Sequence, residues 1–282
     1  MKKPLGNRRV TGKEQFYTPR ALARELISLA ESVIPDFAER DFLEPAGGNG
    51  SFVDALRLRG VQKIAAVDLY PKHQLVQKQD FLGFAPEQTD LVTISNPPFG
   101  RNNALAIPFF NHAAAFSEYI CFLVPRSWRK WSVENRLDQS FHKLVDEEVF
   151  VSYEDENGVP VRQANNLRTC FQVWQRQPVP RKKIVVPDNG LIRKVSPDQA
   201  QLAIRVFGYG CGSVLAKFEP KKNTTLMFLK AKNQRVMRLL PELDYPRFSK
   251  NTAYTEALAF TEINFLLNEE VFGSGFHQEK VR

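Results

Sequence analysis

The chain has 282 residues and a mass of 32.3 kDa, the length of one large α/β domain or of such a domain with a small partner. Apolar residues at 43 % and charged residues at 25 % exclude wholesale disorder, and 39 Lys and Arg against 31 Asp and Glu leave +8, a balance that favours a polyanionic partner. Cys121, Cys170 and Cys211 are odd in number, widely spaced and without a CxxC pair, which argues against a disulfide framework or a zinc site and for a reducing compartment. The start, Met1 to Arg9, is basic but lacks the apolar core of a signal peptide. The richest apolar run, Ala104 to Phe116, is too short and too interrupted to span a bilayer, so no membrane role is expected.

Residues 19–33 read as an amphipathic helix opened by Thr18-Pro19, with Leu22, Leu26, Ile27 and Leu29 on one face. A short strand from Asp41 to Ala46 leads through a glycine-rich turn into a helix carrying Phe52, Val53, Ala55 and Leu56. Ile64 to Leu69 and Leu91 to Ser95 read as buried strands, and a helix is expected from about Leu105 to Phe116. Tyr119 to Val124 reads as a strand, Val133 to Leu144 as a helix, and Val149–Tyr153 with Thr169–Gln175 as a closing antiparallel pair. Alternating strands and helices predict a mostly parallel, doubly wound sheet with ligands at the carboxyl ends of its strands. Beyond 180, Leu202 to Phe218 reads as a bent strand or hairpin, Leu226 to Leu229 as a strand, and Val236–Leu240 and Ala257–Leu267 as helices.

The basicity is local. Residues 181–250 carry 15 Lys and Arg against 5 Asp and Glu, a net +10 that leaves −2 for the other 212 residues. Pro178, Pro180 and Pro187 crowd the boundary as a linker would, which divides the chain into residues 1–180 and a small basic region, 181–282. Lys221, Lys222, Lys230, Lys232 and Arg235 in that region suit phosphate contacts, or else form a solvated basic surface. Arg126-Ser127-Trp128-Arg129-Lys130-Trp131 reads either as a displaced-strand contact, through Arg126, Trp128 and Arg129, or as a loop anchored by buried indoles. The four histidines show no metal spacing, and no metal is expected.

Three clusters fall at strand ends. The first is Glu44-Pro45-Ala46-Gly47-Gly48-Asn49-Gly50, where glycines let backbone approach a ligand closely. A dinucleotide fingerprint counted from Gly48 finds Val53 in place of its third glycine, which weakens a nicotinamide reading. The second is Asp68, an acid 24 residues after Glu44 and suited to two ribose hydroxyls, followed by Asp80-Phe81, a carboxylate and a ring suited to an adenine. The third is Asn96-Pro97-Pro98-Phe99. Its prolines remove two N–H donors and fix φ, which directs the Asn96 side-chain oxygen and the Pro97 carbonyl at one point, as an exocyclic amino group requires, and Phe99 offers a flat face for the attached ring.

In this order the clusters resemble the gamma-class amino-methyltransferases that use S-adenosylmethionine, chiefly the N6-adenine enzymes. The resemblance spans roughly residues 14–176. It implies a Rossmann-like class I methyltransferase sheet, mostly parallel with the last strand antiparallel. It implies S-adenosylmethionine held by Tyr17, Thr18, Glu44, Ala46, Gly47, Gly48, Asn49, Gly50, Asp68, Asp80, Phe81 and Asn96. Asn96, Pro97, Pro98 and Phe99 match the catalytic motif. The implied partner is nucleic acid, DNA ahead of RNA, with base flipping and a short or relaxed target sequence, in a cytoplasmic protein of a bacterium or phage, of the kind found in DNA modification. A later base-holding aromatic of the family has no counterpart in Val159-Pro160-Val161; Tyr153, Phe171 or Trp128 is the expected substitute. Alternatives are an RNA adenine-N6 methyltransferase, a protein glutamine methyltransferase and a non-catalytic nucleic-acid-binding module.

Overall fold

The computed structural model describes residues 16–155, 158–161 and 167–278; the basic start of the chain lies outside them. Two compact units are present. The first comprises Met1–Val124, Lys143–Asn166 and Phe171–Gln175, the second Pro125–His142, Leu167–Cys170 and Arg176–Arg282.

The first unit is organised by a seven-stranded sheet. Its strands in chain order are β1 (Phe42–Glu44), β2 (Ile64–Asp68), β3 (Gln77–Lys78), β4 (Leu91–Ser95), β5 (Ser117–Pro125), β6 (Phe141–Val149) and β7 (Thr169–Arg176). They lie in the order β3-β2-β1-β4-β5-β7-β6. The pairs β1·β2, β1·β4, β2·β3 and β4·β5 are parallel. The last strand is antiparallel, so the sheet is the Rossmann-like one expected. Its helices are α1 (Arg20–Glu31), α2 (Ser51–Leu58) and α3 (Ala106–Ala113). The central strands bury both faces: every residue of β1 and β4 is buried, as are Ile120 to Pro125 of β5. Parallel sheets covered on both sides produce such continuous apolar runs, which is why these strands were legible in sequence. α1 buries Ala23, Leu26, Ile27 and Ala30 and packs on α2.

Strand order reverses between β1 and β4. That reversal opens a crevice beyond their carboxyl ends, where open α/β sheets take ligands. Phe42 pairs with Val92 and Leu43 with Thr93, so the register sets Glu44 beside the end of β4, one residue before Asn96.

Two expectations fail here. Val133–Leu144 is not a helix: only α4 (Trp131–Glu134) is helical, and β6 begins at Phe141. The Asp138 side chain accepts from the Ser140 amide at 2.8 Å and turns the chain. β6 is the sheet's edge strand, and its run of Lys143, Asp146, Glu147 and Glu148 hides its alternation while protecting the edge. For the same reason Val149–Tyr153 is no strand; β6 ends where that strand was to begin.

The second unit holds a four-stranded sheet, order β11-β10-β12-β9, built from β9 (Ile192–Lys194), β10 (Leu202–Arg205), β11 (Val214–Leu215) and β12 (Leu226–Ala231), all antiparallel. A small pair, β8 (Ile184–Val185) and β13 (His277–Gln278), and helices α5 (Gln234–Leu239), α6 (Pro246–Ser249) and α7 (Phe260–Phe272) complete it. The hairpin, the strand over 226–229 and both helices expected beyond 180 are therefore present. One face of the sheet, through Ile192, Leu202, Ile204 and Leu229, packs into a core with Phe248, Ile263 and Phe265.

The proline-rich stretch after 177 does not behave as a linker. The Arg181 guanidinium donates to the carbonyls of Phe141, Glu134 and Asp138 at 2.6, 2.9 and 3.3 Å. Asn135 brackets Ile184, donating to its carbonyl at 2.8 Å and accepting from its amide at 3.0 Å. A single arginine bridging the end of α4, the turn after it and the start of β6 holds this segment within the second unit.

Candidate active site

A cavity of about 220 Å³ lies at the carboxyl ends of β1, β2 and β4. Its lining includes Tyr17, Thr18, Glu44, Ala46, Gly47, Gly48, Asn49, Asp68, Asp80, Phe81, Asn96 and Pro98, drawn together from all three clusters. Gly50, Pro97 and Phe99 are not among the lining residues.

The glycine-rich turn is shaped by neighbours on both sides. Gly48 has φ 45°, and a Cβ there would stand 2.8 Å from the Tyr17 ring; Gly50 has φ 79°, and a Cβ there would stand 2.4 Å from His73. Gly48 thus lets the Tyr17 ring lie against the turn, and Gly50 admits the His73 segment behind it. The Gly48 amide donates to Asp68 Oδ2 at 2.9 Å, and the Tyr70 amide to Asp68 Oδ1 at 2.7 Å. A carboxylate oxygen can accept more than one hydrogen bond, so Asp68 is anchored at both oxygens and keeps acceptor capacity on each. Asp80 caps the following turn by accepting from the Leu82 amide at 3.1 Å through Oδ1. Phe81 is buried and packs on Phe109, His112 and Phe116, with centroids 5.0, 4.9 and 6.2 Å away.

Glu44 forms the floor. It is buried, and its Oε1 accepts from the Ala46 amide at 2.9 Å and from Ser95 Oγ at 2.5 Å. Burial pushes its carboxyl up to about 8; the Ser95 and Ala46 bonds oppose this, and the Asp68 charge adds to it. Both bonds land on one oxygen, so a proton on Oε2 leaves them intact. Below about 4.5 the group is protonated whether the chain is folded or not. Above that value the unfolded chain loses the proton first, so stability falls as pH rises towards 8. The gap between 4.5 and about 8 corresponds to about 5 kcal/mol. Glu44→Gln, which keeps the acceptor and replaces the protonated oxygen by an amide, is expected to flatten that decline in urea titrations run from pH 5 to 9. An unchanged slope would show that Glu44 is ionised in the fold.

Asn96 stands on the cavity wall directly after β4. Its Nδ2 donates to the Phe16 carbonyl at 3.3 Å, while its Oδ1 is buried with no hydrogen-bond partner. Thr18 Oγ1, on the same cavity, is likewise buried and unpartnered. Orphaned buried polar atoms cost about 1–3 kcal/mol each, and two on one wall mark places where a bound molecule completes the bonding. The Phe99 carbonyl accepts from the Leu105 and Ala106 amides at 3.2 and 3.4 Å, which fixes the half-buried Phe99 to the start of α3.

Several lining residues escaped the sequence reading. Leu69 and Tyr70 follow Asp68 on the cavity rim and are 53 % and 47 % exposed. Two large apolar residues after a strand-end acid were the available signal. Phe109, on the lining, and Ser95, which bonds Glu44 behind it, had none, since each is an ordinary interior residue until the Phe81 cluster and the β1–β4 register give it a partner.

The nucleic-acid candidates divide. Trp128 is fully buried and so unavailable to a strand, and the partly buried Trp131 stacks on Phe265 at 5.3 Å and meets Phe248 edge-on. Burying an indole is worth more than exposing it, and the loop is an anchored one. Tyr153, Phe171 and Trp128, the three expected substitutes for the missing base-holding aromatic, are all fully buried and cannot stack on a base. Arg126 and Arg129 are half-buried; Lys222, Lys230, Lys232 and Arg235 are exposed, and Lys221 is exposed and paired with Glu219. Lys230 lies directly across from Arg193 in the β9·β12 register, two like charges that a sheet holds only at some cost.

Neither a family model nor a curated protein sequence matches the chain. Solved structures do. A protein named as an RNA methyltransferase from Pyrococcus horikoshii matches at 18 % identity and a TM-score of 0.47, over 58 % of this chain and 87 % of its own. A protein named as a class I S-adenosylmethionine-dependent methyltransferase from Listeria monocytogenes matches at 18 % and 0.42, over 57 % and 61 %. A protein named as the modification subunit of a type I restriction enzyme from Vibrio vulnificus matches at 16 % and 0.42, over 64 % of this chain and 49 % of its own.

Proposed function

We propose that this chain is an S-adenosylmethionine-dependent methyltransferase acting on the N6 amino group of adenine in nucleic acid, with DNA as the favoured substrate. The observation that carries the reading is the buried, unpartnered Oδ1 of Asn96 on the cavity wall. It is an acceptor with nothing to accept, placed at the rigid Asn96-Pro97-Pro98-Phe99 turn.

The residues present fit the cofactor. Asp68 retains acceptor capacity for ribose hydroxyls, Asp80 has its Oδ2 left for an adenine amino group beside the Phe81 ring, and Thr18 Oγ1 is a free donor for a carboxylate. When bound, S-adenosylmethionine supplies an electrophilic methyl group on a sulfonium. The protein's share of the chemistry is positioning and charge stabilisation. Asn96 Oδ1 and the Pro97 carbonyl accept the two amino hydrogens and leave the nitrogen lone pair free. Positive charge grows on that nitrogen in the transition state, and two fixed oxygens stabilise it. The methylated nitrogen sheds its proton to water, so no general base is needed. Rotating an adenine out of a duplex costs a few kcal/mol, and stacking on Phe99 returns about 1–3 kcal/mol. The net +10 of residues 181–250 supports a polyanionic partner.

The test supplies methyl-labelled S-adenosylmethionine with double-stranded DNA, single-stranded DNA and RNA in parallel, and identifies nucleosides by mass spectrometry after digestion. N6-methyladenine in DNA is the expected product. Label in RNA alone would replace DNA by RNA as substrate, and label in no nucleic acid would overturn the reading.

A further inference from the structure

The loop joining β10 to β11 carries Phe207-Gly208-Tyr209-Gly210-Cys211-Gly212. Tyr209 is wholly in solvent, at 102 % of its reference exposure, and Phe207 is 49 % exposed. A single exposed ring needs no explanation by itself. Its support does. Gly208, Gly210 and Gly212 have φ of 83°, 74° and 97°, three left-handed positions around one tyrosine. At Gly212 a Cβ would stand 2.7 Å from Tyr245, a buried residue of the core, so the loop is seated on packed structure.

The backbone is pinned throughout. The Gly212 amide donates to the Arg205 carbonyl at 2.8 Å, the Arg205 amide to the Ser213 carbonyl at 2.9 Å, and the Cys211 amide to the Gly208 carbonyl at 3.1 Å. Ser213 closes the turn, its Oγ donating to the Gly210 carbonyl at 2.7 Å. The Gly208 amide donates to the Glu256 carbonyl at 3.0 Å, and Phe207 bridges Ala257, which ties the loop to a second segment. A preorganised loop thus holds an aromatic ring in water, where the ring gains nothing from the fold.

Charge selects the partner. The Arg205 stem runs along Gly210 at the foot of the loop, its Cδ within 3.6 Å of where a Cβ would be. β11 continues into Lys217, Lys221 and Lys222, with Glu219 the one acid among them. Arg205, Lys217 and Lys222 have no ion-pair partner among the described residues. An exposed planar ring on a loop with an arginine at its foot, within a segment that carries net +10, has the composition of a nucleobase-stacking platform, since stacking needs a flat face and the phosphates need cations.

We infer that Tyr209 is a base-stacking contact of the second unit, engaging a nucleobase of the nucleic-acid substrate. The inference rests on the nucleic-acid reading above and deepens it by giving the second unit an aromatic contact of its own to the substrate.

The test measures binding of the full chain to fluorescein-labelled duplex DNA, single-stranded DNA and RNA of one sequence by fluorescence anisotropy across a salt series. Tyr209→Ala is expected to weaken binding to at least one of them by about 5- to 100-fold, with Tyr209→Phe within about twofold of the parent. The salt slope stays unchanged because no phosphate contact is lost. The melting temperature and S-adenosylmethionine binding stay at parental values, since the side chain packs on nothing. Equal binding by the parent and Tyr209→Ala overturns the inference and leaves the proposed function standing. Equal losses in the Ala and Phe variants overturn stacking in favour of the hydroxyl. No binding of any probe by the parent removes the nucleic-acid partner itself, and loss of binding to phosphatidylserine vesicles alone would move Tyr209 to a membrane contact.

Discussion

Asn96→Ala is expected to lower methyl transfer by at least about 10²- to 10³-fold while leaving the protein as stable as the parent or slightly more so. The two effects part company because of how the side chain is bonded. Its Oδ1 makes no hydrogen bond in the fold, so deleting it removes a buried orphan whose desolvation costs about 1–3 kcal/mol. Its Nδ2 makes one long bond, 3.3 Å to the Phe16 carbonyl, worth at most about 1 kcal/mol. The folded state therefore loses little. On the proposed reaction, the transition state would lose one of the two acceptors held towards the nitrogen on which charge develops. Single-turnover kinetics with saturating S-adenosylmethionine, run beside urea denaturation, read both quantities. Methyl transfer within tenfold of the parent would remove Asn96 from the chemistry. Lost activity with a collapsed fold would mean that the residue serves the structure.

The largest expected loss of stability comes from Lys130, in the second unit. Its Nζ lies 2.8 Å from Glu262 Oε1, with the two side chains 14 % and 4 % exposed, and it also reaches the Ala257 carbonyl at 3.4 Å. Glu262 Oε2 accepts from the Ala259 amide at 2.8 Å and so caps the start of α7. Lys130→Ala leaves a buried carboxylate with one backbone donor and no counter-charge, a change that costs about 3–5 kcal/mol. Removing both charges is different: Lys130→Met with Glu262→Gln keeps volume and the capping acceptor, and is expected to recover most of the loss. Urea denaturation of the two single variants and the double variant separates these cases. A Lys130→Ala loss below about 1 kcal/mol would show the pair to be no stronger than a surface ion pair.

The strands around the site were readable because a parallel sheet covered on both faces writes itself as apolar runs, as in β1, β4 and β5, and β2 is an apolar run up to Asp68 although its Ala65 is exposed. Their ends were readable for a related reason. A ligand at the carboxyl end of a strand needs polar or glycine residues immediately after an apolar run, which is the pattern at Ala46–Gly50, at Asp68 and at Asn96. β6 was misread because edge strands are protected by charge, and Lys143, Asp146, Glu147 and Glu148 blur a period of two into something closer to a helix face. The aromatics were the other blind spot. Trp128, Tyr153 and Phe171 have the composition of base-stacking residues, and composition says nothing of which side of the surface a ring occupies.

Sequence alone thus located β1, β2, β4, β5 and β7, their ends and the side chains that stand there, since these follow from local periodicity and from the chemistry of short motifs, while β3 and the charged edge strand β6 escaped it. Tertiary structure decided what depends on distant partners. The reversal of strand order between β1 and β4 set Glu44 beside Ser95, and the burial that came with it raised the affinity of Glu44 for a proton although the Ser95 bond opposes the rise. The packing of Trp131 on Phe265 drew residues 125–142 into the second unit. The grip of Arg181 on three carbonyls turned an apparent linker into fixed structure. Each is a contact between residues far apart in the chain, and burial, which sets their energies, is a property of the assembled fold.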